Sequence, residues 1–407
     1  MANASAQEIP EQALEPEEAA AGDDAPVVQM LNSLLVRGYS INASDIHIEP
    51  FETHVAVRMR VDGVITDYVT LSPTLHTSLI ARIKILSNLD IAERRLPQDG
   101  HFRTMVNGLE MNTRVSLIPT VYGEKAVIRF LSNNAKIDNQ STFGMNREHY
   151  NAFRRMLDSP HGIVYITGPT GSGKTTTLYM VLEELSHRLV NISTIEDPVE
   201  RNIARVNQVQ VNNTAGLTFE VGLRSLLRQD PDVIMVGETR DSETASISIR
   251  AAITGHLVLS TLHTNDAISS IVRLRDMGVP SYLVANSLVG LVAQRLMRKV
   301  CPNCGQAYAP APEEEAILGK NPGKLYKGKG CHQCNNTGYK GRIAIHEVVL
   351  IDKAIRRMIV DEASMEDILA YVQKSQSFMS LRESALALVE QGISTVAEFQ
   401  KVAYYSD

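Results

Sequence analysis

The apolar positions change period several times along the chain, and each change predicts an element. Val27 to Gly38 (VVQMLNSLLVRG) repeats at helical spacing and opens the first folded domain with a short amphipathic helix. Asp45 to Glu49 and Val55 to Ile65 alternate in period two, with Asp62-Gly63 supplying turn chemistry, so paired strands follow. A helical run from Leu75 to Leu89, a loop over Arg95 to Gly100 and strand-like stretches through Ile128 complete an α+β domain that ends near Leu131. Beyond it, strands at Gly162 to Thr167, Val190 to Ile195, Val233 to Val236 and Leu257 to Ser260 alternate with helical segments, the pattern of a parallel sheet covered by helices. The longest uncharged apolar stretch, Val279 to Gln294, contains Pro280, Ser281, Asn286 and Ser287. It falls short of the roughly 18 apolar residues that a membrane span needs and reads as a buried helix. Helical periodicity returns over Ala354 to Gln391.

With 407 residues the chain has room for two or three domains. Residues 1–26 carry seven acidic side chains and no Lys or Arg, which predicts a disordered acidic leader. The expected organisation is then an N-terminal domain over 27–132, a polar linker over 133–141 (NNAKIDNQS) and a second domain over 142–407. That second domain includes a cysteine-bearing insert at 301–345. A net charge of -6 gives no general reason to expect nucleic-acid binding. The N-terminus lacks the basic start and apolar core of a signal peptide, and all four cysteines fall into two pairs, so the expected compartment is the cytoplasm.

The chemistry centres on Gly168-Pro169-Thr170-Gly171-Ser172-Gly173-Lys174-Thr175, a G-x-x-x-x-G-K-T turn between an apolar strand and a helical run that Thr176 continues. In such a turn the backbone N–H groups and the helix N-terminus hold the phosphates of ATP, the lysine reaches the β- and γ-phosphates, and Thr175 takes magnesium. Val233 to Val236, running into Gly237-Glu238, has the form of a Walker B strand, and Thr194 to Glu196 is a second strand running into acid. Glu196 is assigned to orienting or deprotonating the attacking water and Glu238 to magnesium, though sequence allows the exchange. His263, after an apolar strand, is placed to sense a γ-phosphate. Cys301-Pro-Asn-Cys304 and Cys331-His-Gln-Cys334 present four thiolates for structural zinc. The 26 residues between the two pairs read as a long loop.

These motifs together resemble the assembly ATPases of type II secretion systems and type IV pili. The elements occur in family order from SDIHIEP at 44–50 through RMRVDG, RLPQDG, GPTGSGKT, TIEDPVE, LRSLLRQDPDVIMVGETRD, TGHLVLSTLHTND and QRLMRKVCPNC to GYKGRIAIHE at 338–347. The resemblance implies a RecA-like α/β ATPase domain with a zinc-binding insert, preceded by a smaller α+β, PAS-like domain. It implies a homo-hexamer with ATP sites between the domains, magnesium as cofactor, and arginines closing on the phosphates at Arg60, Arg114, Arg129, Arg224, Arg228 and Arg342. Partners would be inner-membrane platform proteins, with the chain held peripherally at the membrane and no span of its own. Members commonly carry a further N-terminal domain, where this sequence has the acidic leader. A pilus-retraction or DNA-transfer motor, or a nucleotide-dependent adaptor without turnover, are the alternatives.

Overall fold

A computed structural model describes residues 26–131 and 143–403, so the leader up to residue 25 and the linker at 133–141 lie outside the described residues. The chain divides into two compact units, one over Met1–Val61 and Ile65–Phe130, the other over Leu131–Asp407 together with the short Asp62–Val64 turn segment.

The first unit runs α1 (Pro26–Ser40), β1 (Ala43–Pro50), β2 (Val55–Val61), β3 (Val64–Leu71), α2 (Pro73–Leu86), β4 (Gln98–Val106), β5 (Leu109–Thr120) and β6 (Gly123–Phe130). Its six strands form one sheet in the order β3-β2-β1-β6-β5-β4. Period-two alternation gives the sheet one apolar face, where Ile46, Ile48, Val57, Val115 and Ile128 pack against Leu31 and Leu35 of α1 and Leu79 and Ile83 of α2. Asp62 and Gly63 sit at positive φ (49 and 84) and make the tight β2–β3 turn. The loop expected over Arg95 to Gly100 is shorter: Gln98, Asp99 and Gly100 already pair with Leu117, Ser116 and Val115 of β5. The Pro97 that marks the loop is a permitted neighbour of a strand's first residue, so it does not exclude pairing from Gln98 on.

The second unit opens with α3 (Arg147–Leu157), β7 (Gly162–Thr167), α4 (Lys174–Ser186), β8 (Ile192–Glu196), β9 (Asn207–Gln210), α5 (Phe219–Leu226), β10 (Val233–Val236), α6 (Ser242–Ile253), β11 (Leu257–Leu262), α7 (Ser269–Asp276), α8 (Ser281–Ser287) and β12 (Leu288–Val300). It continues with β13 (Gly305–Tyr308), α9 (Pro312–Leu318), β14 (Leu325–Gly328), β15 (Tyr339–Leu350), α10 (Lys353–Val360), α11 (Met365–Ser375), α12 (Leu381–Glu390) and α13 (Val396–Ala403). Seven strands in the order β15-β12-β7-β11-β10-β8-β9 form its sheet. All pairs are parallel except β12 with β15. Strands β7, β8, β10 and β11 are buried throughout, with apolar clusters on both faces, so their apolar residues follow no alternation.

Two expectations are corrected here. Val279 to Gln294 is not one buried helix: α8 stops at Ser287, and Leu288 starts the interior strand β12. A strand buried on both faces loses its alternation, so periodicity alone does not separate it from a buried helix. The interval between the cysteine pairs is not a plain loop either, because α9 and the two-stranded β13–β14 sheet occupy it. Among the described residues no helix is long and apolar enough to cross a membrane.

The core also carries a titration. His346 on β15 and His149 on α3 are buried, and the Nε2 atom of each has no hydrogen-bond partner. Burial, and then the neighbouring His149, hold the His346 imidazole down to about 3. A depressed imidazole contributes stability that is present above its unfolded value near 6.5 and is lost as pH falls toward the folded one. Denaturant titrations at pH 6.5 and 5 should therefore show a loss of about 2 kcal/mol in the wild type. Most of that loss should vanish in His346→Leu, and a flat wild-type response would contradict the assignment.

Candidate active site and cysteine cluster

Strand β7 delivers the Gly-rich turn at the carboxyl edge of the sheet, where parallel α/β folds place their ligand crevice. Gly168 is obligatory there: its φ is 149, and a Cβ would lie 2.5 Å from the Gln294 carbonyl and 2.6 Å from Ser172 Oγ. Gly173, in left-handed conformation at the N-cap of α4, brings no side-chain cap, so the first N–H groups of the helix remain available to an anion. Ser172 Oγ is buried without a partner. An orphan hydroxyl, an uncapped helix start and a lysine at one turn fit a phosphate chain.

Lys174 Nζ donates to the carbonyls of Gly168 at 2.7 Å and Pro169 at 3.2 Å. Burial foremost, with the nearby Arg295 cation second, lowers its ammonium to about 8, against the attraction of Glu238. Thr175 and Thr176 are exposed on the first turn of α4. Glu238 follows β10 and is half-buried; Arg240 Nε reaches its Oε2 at 2.7 Å and His263 Nε2 lies 3.8 Å from the same oxygen. Burial and the Lys174 charge lower the His263 imidazole. The structure thus joins Lys174, Glu238 and His263 in one electrostatic cluster. A cleft of about 360 Å³ opens beside it, lined among others by Asp197, Glu220, Glu238, Arg240 and Asp241.

Glu196 ends β8 but is differently engaged. It is buried, and its carboxylate accepts from Tyr179 Oη, from Thr194 Oγ1 at 2.6 Å and from Gln208 Nε2 at 3.0 Å. Tyr179 in turn accepts the Glu200 N–H at 2.9 Å, tying α4 to the segment after β8.

The arginines separate into groups. In the first unit, strand register sets Arg60, Asp45, Arg129 and Arg114 in one row across β2, β1, β6 and β5. Asp45 pairs with Arg129 at 2.8 Å and Arg60 at 3.6 Å. In the second unit Arg224 pairs with Glu220 at 2.9 Å, Arg228 donates to the Arg224 carbonyl at 2.9 Å, and Arg342 stands on β15 opposite Arg298. Among the described residues no hydrogen bond or ion pair joins these three to Lys174, Glu238 or His263.

Gln294 went unassigned from sequence. Fully buried on β12, it donates to the Ser172 carbonyl and accepts from Thr177 Oγ1, each at 2.8 Å, and so holds the turn to α4. The signal available was a Gln-Arg pair inside an apolar strand, since buried polar groups require partners.

The four cysteine sulfurs lie within 4.8 Å of one another. Cys301–Cys331, Cys304–Cys334 and Cys331–Cys334 are 3.9, 3.8 and 3.7 Å apart. Disulfide sulfurs stand about 2.05 Å apart. Tetrahedral thiolates around zinc, at about 2.3 Å each, stand about 3.8 Å apart. The cluster can therefore hold one such ion.

One further outcome concerns the turn itself. Phosphates bind the charged lysine, which the free protein loses above about 8. Affinity for a fluorescent ATP analogue should be level below pH 7.5 and weaken about tenfold from pH 8 to beyond 9. Equal affinities at pH 7 and 9 would show that Lys174 is not the titrating contact.

A family model described as "Type II/IV secretion system protein" matches residues 20–401. The type II secretion system ATPase E of Vibrio cholerae is 44% identical over 383 residues, covering 93% of this chain and 76% of that protein. The type IV pilus assembly ATPase PilB of Thermus thermophilus is 44% identical over 381 residues, covering 92% of this chain and 43% of that protein. Among solved structures, the ATPase DotB of Legionella pneumophila superposes with a TM-score of 0.68 at 22% identity over 92% of this chain and 95% of that one, a likeness of fold.

Proposed function

Because the chain belongs to the type II/IV secretion system protein family, we propose that it is the ATP-hydrolysing motor of a type II secretion or type IV pilus assembly machine, working as a homo-hexamer on inner-membrane platform proteins from the cytoplasmic side. The observation that carries the hydrolytic half of this reading is the convergence of Lys174, Glu238 and His263 beside an uncapped α4 and an orphan Ser172 hydroxyl.

The Gly-rich turn and the first N–H groups of α4 bind the phosphate chain. Lys174 exchanges its two carbonyl partners for phosphate oxygens, while Gln294 keeps the turn from moving with it. Thr175 and Glu238 would hold magnesium, which neutralises charge on the phosphates. Glu238, half-buried and next to His263, is also the better placed carboxylate to orient water. Glu196, saturated by three donors, fixes the end of β8 instead and takes neither the magnesium nor the water. Arg224, Arg228 and Arg342 of the second unit supply positive charge for the transferring phosphoryl group. Cys301, Cys304, Cys331 and Cys334 hold structural zinc.

Phosphate release from purified protein, followed alongside light-scattering mass, tests this. Turnover that rises with the hexamer fraction is expected. ATP binding without phosphate release in any assembled state would make the chain a switch and overturn the reading.

A further inference from the structure

Resting on the reading of this site as an ATPase, we propose that Arg295 and Glu347 are positioning residues that clamp the loop His263–Ala267 beneath the Gly-rich turn, so that His263 stays in register with Glu238. Both belong to the two strands beyond β7, far in sequence from the Gly-rich turn, and both are buried.

The strand register puts them on one face. Ala293 lies opposite Glu347, and Arg295 opposite Ile345, so Arg295 and Glu347 are diagonal neighbours. On the other side of β12, Ala293 pairs with Thr167, the last residue of β7 before the turn. The loop is then held at three successive points. Thr167 Oγ1 accepts the Thr264 N–H at 2.8 Å. Arg295 Nη2 donates to the Asn265 carbonyl at 2.7 Å while its Nη1 donates to the Gln294 carbonyl at 3.2 Å. Glu347 Oε1 accepts the Ala267 N–H at 2.9 Å.

Each contact has a physical reason to be strict. A buried guanidinium spends its fixed fork of donors on backbone carbonyls, a geometry that an ammonium does not reproduce. A buried carboxylate accepts from backbone N–H groups on two sides, Ala267 before α7 and Leu381 at the start of α12. Burial foremost raises the Glu347 carboxyl to about 7; of the charged groups facing it, Asp266 opposes its ionised form and Arg295 favours it. Arg295 Nη1 also comes within 3.0 Å of where a Cβ on Gly168 would stand. One side chain therefore touches both the floor of the phosphate turn and the loop that carries His263. Displacing that loop by about 1 Å would misplace His263 against Glu238 without emptying the phosphate site, and errors of that size cost about 100-fold in rate.

The experiment compares wild type, Arg295→Lys and Glu347→Gln in the full chain. The lysine keeps the charge and loses the fork. The glutamine keeps the volume and turns an NH2 toward one of the two N–H donors. Amide exchange at 264–267 should rise at least tenfold in both, and kcat should fall about 10- to 100-fold, while Kd for a fluorescent ATP analogue with magnesium stays within about twofold. Unchanged exchange at these amides, or faster exchange with a wild-type kcat, overturns the clamp. Should Arg295→Lys fail to fold, Glu347→Gln decides by the same readings. If the wild type binds the analogue yet releases no phosphate, the ATPase reading fails separately, and the exchange data still decide whether the clamp exists.

Discussion

Lys174→Ala should reduce phosphate release by about 100- to 1,000-fold, the usual loss when one preorganised charged donor is removed from a developing oxyanion. Among the described residues no equivalent donor stands at that place. Arg295, whose charge bears on Lys174, is held by the Asn265 and Gln294 carbonyls. The fold should tolerate the change. Gly173 supplies the conformation that starts α4, and Gln294 holds the Ser172 carbonyl independently of the lysine. Alanine is also a good helix former at the first helical position. Thermal unfolding should thus move by only a few degrees while kcat collapses. A Lys174→Ala protein that hydrolyses ATP at the wild-type rate would remove the turn from the mechanism altogether.

How much of this could be read from the sequence follows from the range of the interactions. The phosphate turn was legible because its glycines, its lysine and the flanking strand and helix are consecutive, and local backbone demands write themselves as local spacing. The cysteine cluster was legible because each pair is a local knuckle; only the long-range meeting of the two pairs needed the fold. Gln294, Arg295 and Glu347 were not legible as parts of the site. Their partners lie 122 positions away for Gln294, 30 for Arg295 and 80 for Glu347, across strand pairings that no spacing announces. The same limit turned β12 into an expected helix, since burial on both faces erases the period. For Glu196 and Glu238 the sequence supplied two acids at two strand ends. What separates them is the company each keeps: Tyr179, Thr194 and Gln208 around one, Lys174 and His263 around the other. The arginine row of the first unit depends on register, and a slip of one residue would send Arg60 and Arg129 to the apolar face.

Removing the metal from the cysteine cluster should have the largest effect on stability. The arm between the two pairs contains two four-residue strands and a seven-residue helix, and only Leu318 and Leu325 of it enter the buried core. So little apolar burial does not offset the entropy of ordering the arm, whereas a structural zinc site binds with about 10 kcal/mol or more near neutral pH. Loss of the ion would also reach the C-terminal helices. Tyr326 on β14 packs so closely on Gly392 that a Cβ there would come within 2.5 Å of its ring, and Val300 N–H donates to the Ile393 carbonyl at 2.8 Å. Chelation, or Cys304→Ser with Cys331→Ser, is therefore expected to take zinc from one ion per chain to none and to open residues 305–330 to protease. It should also lower the melting temperature by about 10 °C or more. The Gly-rich turn lies on β7, which does not depend on the arm, so nucleotide binding by the surviving fold should persist. A protein that purifies without metal, keeps its arm resistant to protease and melts unchanged would show that the four sulfurs pack as buried thiols instead.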